Sequence, residues 1–312
     1  MTKITIIRVS GNELANQLWN YISIYAYTLE RGFGLKNPSF FEYGEYFTMS
    51  PAHNLLCKII FFLPFRNYVK RKTALQRKIW RKLYTWYSGT VLRKHTAQVV
   101  SSNNASLEPY YLPPSSKPQK RLTELELGHG SLYFDGWLFR NPTGIEKYRK
   151  EIREYFQPRQ DIKKSVEGQI KDLRSRFKKI IGVHIRQGDY KNWRNGTYFI
   201  PQTRVRESLD EYSKIKGLNN SEACFVITSD EKIETDLFTG LNIFISEGNA
   251  VHDIFLLSKT DVVIGSNSTF GAFASYYGNI PFIVMQKERM DWNYYKDKKT
   301  FFENKYSSFV YY

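Results

Sequence analysis

The chain has 312 residues, 42% hydrophobic and 16% aromatic, with a net charge of +16. That length and apolar content give a folded globular protein with a sizeable core, more readily two domains than one, and exclude an unfolded chain. Cys57 and Cys224 lie far apart in apolar runs, which argues against a disulfide framework or a zinc site, and the longest nearly uninterrupted apolar run, 59–65, is too short to span a bilayer.

In chain order, residues 2–9 read as a strand with a charge inside it rather than as a signal peptide. Ser10, Gly11, Asn12 and Glu13 make a turn. A helix follows, with apolar residues at Leu14, Leu18, Tyr21, Ile22, Tyr25 and Leu29, and ends between Arg31 and Pro38. Strand, glycine turn and helix open a doubly wound unit. From Glu45 to Glu108 no acidic residue intervenes, while Lys58, Arg66, Lys70, Arg71, Lys72, Arg77, Lys78, Arg81, Lys82, Arg93 and Lys94 accumulate among aromatics. Leu75, Ile79, Leu83 and Trp86 recur there at helical spacing and predict an amphipathic helix. Its charges read either as a solvated helical face or as an attachment to an anionic membrane surface. No nucleic-acid motif accompanies them, so nucleic acid is not the expected partner.

Residues 101–119, rich in Ser, Asn and Pro, read as a loop, 131–138 as a strand, and Asn141-Pro142 as the start of a helix running to about Tyr155. Residues 157–159 read as a linker, which places one domain at 1–157 and a second at 158–312. Beyond the linker helices are predicted at about 161–177, 201–215, 252–258 and 270–277. Strands are predicted at 179–185, 223–228, 241–245, 261–265 and 280–285, with a partly helical tail from Asp291. This alternation implies an α/β protein made of two Rossmann-like domains facing across a cleft.

Three predicted strands of the second domain end in polar residues: His184, Arg186 and Asp189; Ser229 and Asp230; and Ser266 through Thr269. Ligands of open α/β sheets bind beyond the carboxyl ends of strands, so these groups are expected to share one. Arg186 presents a rigid fork of donors suited to phosphate, and Gly188 lets the backbone approach an anion. Asp189 pairing Arg186 in a salt-bridged turn is the plainer alternative. Ser-Asn-Ser-Thr suits a helix cap, and equally a helix N-terminus that takes a phosphate. With Arg186 nearby, a diphosphate is the natural guest. No Asp-x-Asp pair occurs, so protein cations and backbone donors rather than a metal ion are expected to neutralise it.

The set resembles the fucosyltransferase superfamily that uses GDP-fucose, and is closest to bacterial α-1,2-fucosyltransferases. The hallmark His-x-Arg-Arg-x-Asp is met by His184, Arg186 and Asp189, with Gln187 in place of the usual second arginine. Asp253 to Ser258, followed by Asn267-Ser268-Thr269-Phe270, resembles the family's acidic helix, strand and Asn-Ser-Thr/Ser-Phe turn. Residues 11–18, GNELANQL, resemble its glycine-rich turn. Glu13 departs from many α-1,2 members, which carry glycine there, and agrees with some protein O-fucosyltransferases.

The resemblance implies a GT-B type glycosyltransferase. Its N-terminal domain, 1–157, would serve the acceptor and its C-terminal domain, 158–312, would bind GDP-fucose. Arg186 would hold the diphosphate, His184 and Asp253 guanine, and Ser268, Thr269 and Phe270 the β-phosphate, with Asp230 supporting the nucleotide. Glu13 is the expected general base, Asp189 the alternative carboxylate, and Asn12 and Asn16 would orient sugar or diphosphate. The implied reaction is a metal-independent, inverting transfer of L-fucose to a galactose-containing oligosaccharide. The expected location is cytoplasmic, with a lipid-linked glycan at the inner membrane face suiting the basic segment. A binding module for nucleic acid or membrane, with a silent sugar-nucleotide site, is the competing reading.

Overall fold

The strand Lys179–Ile185 (β5) is buried at every position except Lys179, as a central strand of a parallel sheet covered on both faces should be. It belongs to the second of two units in a computed structural model that describes residues 3–8, 13–49, 74–92, 98–101, 126–127, 130–136, 139–219, 221–297 and 304–307. One unit extends to Arg159 and the other begins at Gln160.

The first unit is built on the strands Ile4–Ile7 (β1), Gly34–Lys36 (β2), Gln98–Ser101 (β3) and Leu132–Asp135 (β4). All pair in parallel, in the order β2-β1-β4-β3. The helix Leu14–Arg31 (α1) buries Leu14, Leu18, Tyr21 and Ile22 of its expected apolar face; Tyr25 and Leu29 are half-buried, and Trp19 and Tyr27, outside that pattern, are buried as well. Next come Ala74–Tyr87 (α2), Pro142–Lys147 (α3) and Arg149–Tyr155 (α4). Asn141 caps α3 by accepting from the Gly144 amide at 2.9 Å. The one helix expected from Asn141 to Tyr155 is therefore two, broken at Tyr148 (φ −101°, ψ 26°), where no proline or glycine announces a break.

The second unit alternates helix and strand: Gln160–Arg176 (α5), β5, Gln202–Lys216 (α6), Ala223–Ser229 (β6), Ile243–Ile245 (β7), Ala250–Leu257 (α7), Val262–Gly265 (β8), Thr269–Gly278 (α8) and Phe282–Val284 (β9). The sheet is wholly parallel, in the order β7-β6-β5-β8-β9. From β5 the chain winds to one edge through β6 and β7, then returns to the other side of β5 with β8 and β9. The winding direction reverses between β5 and β8, and that junction is where a doubly wound sheet opens a ligand crevice.

One face of β5 sends Ile181, Val183 and Ile185 into a core with Val205 and Leu209 of α6, Phe225 and Ile227 of β6, and Ile264 of β8. On its other face Gly182 leaves room for the end of α7. A Cβ there would stand 2.7 Å from Thr260 Oγ1 and 2.9 Å from a Leu257 methyl. Each unit is thus Rossmann-like, and the fold class follows the sequence expectation. Two strands were not expected: β2, which lies in the stretch read as the helix end, and β3, whose last residue opens the stretch read as a loop.

Candidate active site

The loop leaving β5 is tied to the loop leaving β8 across the point where the winding reverses. The Arg186 amide donates to Ser266 Oγ at 3.0 Å, and the Tyr190 hydroxyl to the Asn267 carbonyl at 3.0 Å. A third strand end joins them: Asp230, just past β6, accepts from the Gln187 amide at 2.8 Å. Gly188 makes this closeness possible, since a Cβ at that position would lie 3.0 Å from Asp230 Oδ2.

Arg186 is held from the Nε side by Asp189 (2.9 Å) and Asp230 (3.2 Å), and its guanidinium carbon lies 5.8 Å from the Tyr190 ring centre. Burial opposes its charge. The Asp189 hydrogen bond and the charges of Asp230 and Asp189 outweigh that, and its pKa is held above the ordinary arginine value. Since both carboxylates approach Nε, the five-donor fork keeps N–H groups for another anion. The trio of one cation and two carboxylates is net negative, so Arg186 alone does not make the site attractive to a diphosphate. The amino end of α8 adds about half a positive charge at the same junction.

His184 is buried against the same turn, its ring stacked on Phe270 at 4.6 Å. The Thr228 hydroxyl donates to the Val183 carbonyl (3.5 Å) and lies 3.3 Å from His184 Nδ1. A hydroxyl so engaged can accept a proton from Nδ1, the tautomer in which Nε2 is a lone-pair acceptor. Burial, reinforced by the Arg186 charge, lowers the His184 pKa to about 3, so the ring is neutral. Nε2 is buried without a hydrogen-bond partner, and so is Ser268 Oγ. Ser268 is the residue before α8 and has extended backbone, yet its side chain makes no capping bond. Two orphaned polar atoms at one strand-end junction are available to a ligand that reaches it.

Asp253, in the first turn of α7, accepts from Ser246 Oγ at 2.5 Å and lies 3.4 Å from His252 Nδ1. Ser246 is the residue after β7, so both of these contacts sit at the carboxyl edge of the sheet. Gln187, in the place of the second arginine, is buried instead: its Nε2 donates to the Ile200 carbonyl (3.1 Å) and its Oε1 accepts from Gln202 (3.0 Å). A guanidinium could not take this seat without stranding a charge among those groups.

In the first unit, Glu13 precedes α1. It accepts from the Tyr43 hydroxyl at 3.1 Å and lies 3.9 Å from Arg81, with half of its side chain exposed. Arg8, past β1, bridges Asp135 at the end of β4 (2.7 Å). Asn16 is half-buried on α1, and Gly11 and Asn12 lie outside the described residues. The structure thus gathers His184, Arg186, Asp189, Asp230, Ser268, Thr269 and Phe270 around one junction. Asp253 stands at the same sheet edge, and Glu13 and Asn16 in the other unit. No group of three or more metal-ligating side chains occurs among the described residues.

The profile of glycosyl transferase family 11 matches residues 132–306, more than half of the chain. The chain belongs to glycosyl transferase family 11. No match among curated proteins accompanies that assignment. Solved structures share the fold of this family 11 member at low identity. An Arabidopsis thaliana FUT1 variant in complex with GDP superposes with a TM-score of 0.55 at 12% identity, covering 93% of this chain and 72% of that one. The α-1,6-fucosyltransferase NodZ soaked with GDP-fucose gives 0.53 at 15% identity, covering 91% and 95%. POFUT1 in complex with GDP-fucose gives 0.53 at 13%, covering 91% and 98%. The resemblance drawn from the motifs to GDP-fucose-dependent fucosyltransferases holds at the level of family and fold.

Four residues of this family 11 site were not singled out from the sequence. Thr228 is paired in register with His184 across β5 and β6, and the end of the apolar run 223–228 was its only signal. Tyr190 directly follows the His184–Asp189 motif and carried no signal of its own. Ser246 and Gln202 carried no local signal, because their contacts arise only when β7 and α6 are placed.

Proposed function

We propose that this glycosyltransferase transfers L-fucose from GDP-β-L-fucose to a hydroxyl of a galactoside with inversion, forming an α-1,2 linkage. The observation that carries the donor assignment is the Arg186–Ser266 junction between β5 and β8, with its orphaned Ser268 hydroxyl and helix N-terminus. Guanine offers N–H donors to His184 Nε2 and to Asp253. Arg186, the Ser268 and Thr269 hydroxyls and the amides opening α8 meet the diphosphate, whose negative charge grows as the C1–O bond breaks. Protein donors at this site do the neutralising, and no metal ion is required. Phe270 packs the histidine in place, and Asp230 holds Arg186 and the Gln187 amide.

The acceptor hydroxyl attacks fucose C1 from the face opposite GDP, through an oxocarbenium-like state. Its proton passes to a carboxylate, and GDP departs with the electron pair of the broken bond. Glu13 is the proposed general base, and Asn12 and Asn16 the groups that orient sugar or diphosphate; Asp189, committed to Arg186, is the less suited carboxylate. Product analysis by NMR after reaction with lactose tests the linkage: an equatorial fucosyl anomeric proton correlated to galactose C2 is expected, whereas an axial fucosyl anomeric proton, which marks a β-fucoside, or a correlation to another galactose carbon would overturn it. Glu13→Gln is expected to lower kcat by about 10²–10⁴-fold while leaving GDP affinity unchanged. A parallel loss of GDP binding in calorimetry would reassign Glu13 to the donor.

A further inference from the structure

Helix α2 packs on its unit with polar and aromatic side chains and turns an apolar strip to solvent. Its inward contacts include Arg81 to the buried carboxylate of Glu42 (2.6 and 3.1 Å), the Tyr84 hydroxyl to the Arg8 carbonyl (2.8 Å), and the Tyr84 ring on Phe41 (5.3 Å). Ile79, Leu83 and Trp86 follow at intervals of four and three, and they are 49%, 50% and 66% exposed. At about 100° per residue these three fall within roughly a 60° arc. A helix serving only its own core would bury that arc. Exposed Lys82 borders it.

We propose that α2 docks this protein on an anionic phospholipid surface, with Ile79, Leu83 and Trp86 entering the boundary between headgroups and acyl chains. Charge decides between occupants. The helix contains Arg77, Lys78, Arg81 and Lys82 and no acid, and no carboxylate occurs between Glu45 and Glu108. A second copy covering the strip would set these cations against their like, whereas an anionic bilayer neutralises them. Nucleic acid supplies phosphate but leaves the apolar strip without a partner. Tryptophan, with an apolar body and one N–H, suits the membrane–water boundary. No described helix is long and apolar enough to cross a membrane, and the proposed attachment is peripheral.

Flotation of the full chain with phosphatidylcholine vesicles, with and without phosphatidylglycerol, tests this. The expected result is recovery with the anionic vesicles only, weakening as salt rises, with Lys82→Glu reducing partition by at least about fivefold. The triple variant Ile79→Ser, Leu83→Ser, Trp86→Ser is expected to lower partition roughly tenfold or more. Its thermal unfolding and GDP affinity should be unchanged, since the three side chains are exposed and lie outside the nucleotide site. Equal binding to neutral vesicles would overturn the proposal, as would undiminished binding by the triple variant. So would a dimer in sedimentation equilibrium that the triple substitution dissociates, or DNA binding tighter than vesicle binding.

Discussion

Arg186 is useful because two carboxylates and a loop hold it still before any ligand arrives. Side-chain entropy that a free arginine would lose on binding a diphosphate is already spent on Asp189 and Asp230. Ser268 is the more discriminating residue to change. Its hydroxyl is buried and makes no intramolecular bond, so a cap role and a phosphate role predict different outcomes. Ser268→Ala is expected to weaken GDP binding by about 10–100-fold in calorimetry, the worth of a hydrogen bond to a charged group, with an unchanged melting temperature. A lower melting temperature with unchanged GDP affinity would make it a structural cap.

His184 carries a pH signature. Its folded pKa of about 3 lies below the ordinary value of 6.5, so between those limits the unfolded chain binds the proton and the folded chain does not. Stability therefore falls as pH drops through that window, by about 1.4 kcal/mol per unit at most from this group, and is unaffected by it above. Melting curves from pH 7 to 4 should show a shallower acid-side decline for His184→Gln than for the native chain. Equal slopes would contradict the buried neutral ring. Arg186 and His184 were legible as candidates because a strand and its abrupt polar end are local patterns. The orphaned state of Nε2 was not legible, since it depends on how Thr228 and Phe270 surround the ring.

At the scale of elements, most strands were readable, β7 and β9 of three residues among them, and β2 and β3 were not. Strand β5 was visible because a strand buried on both faces is a continuous apolar run bounded by charge and glycine. Strands β2 and β3 have only three and four residues, and neither alternation nor an uninterrupted apolar run marks them. They exist because β1 and β4 present ladders to pair with. The amphipathic pattern of α2 was readable, but which side faced inward was not. Arg81 is drawn in by the buried Glu42, a partner nearly forty positions away, and the apolar strip is left outside. Gly182 shows the same dependence on packing. Gly182→Ala drives a methyl into Thr260 and Leu257, and urea denaturation should show a loss of about 1–3 kcal/mol without a change in m. No loss would mean that α7 can move off the sheet.

Across the whole molecule, two parallel sheets built by the same winding rule carry different chemistry at their strand ends. The second unit brings an arginine, a neutral histidine, serines and a helix N-terminus to its winding reversal, the set proposed to bind the donor. The first unit brings Arg8 and Asp135 to its own strand ends and Glu13 to the start of α1, with no comparable phosphate cradle among the described residues. Family and fold could be inferred from the ordered motifs, because His184, Arg186 and Asp189 lie in one short stretch of chain and Ser266–Thr269 in another. The acceptor left no such trace, since no single stretch of the sequence forms a recognisable sugar-binding pattern.

The most direct test of the account is release of GDP from GDP-fucose by the purified protein in EDTA, with and without lactose, alongside Arg186→Ala. The account predicts lactose-stimulated release that EDTA leaves intact and that Arg186→Ala lowers by about 10²–10³-fold while remaining folded. Failure of the native chain to bind GDP, or near-native release by Arg186→Ala, would contradict it.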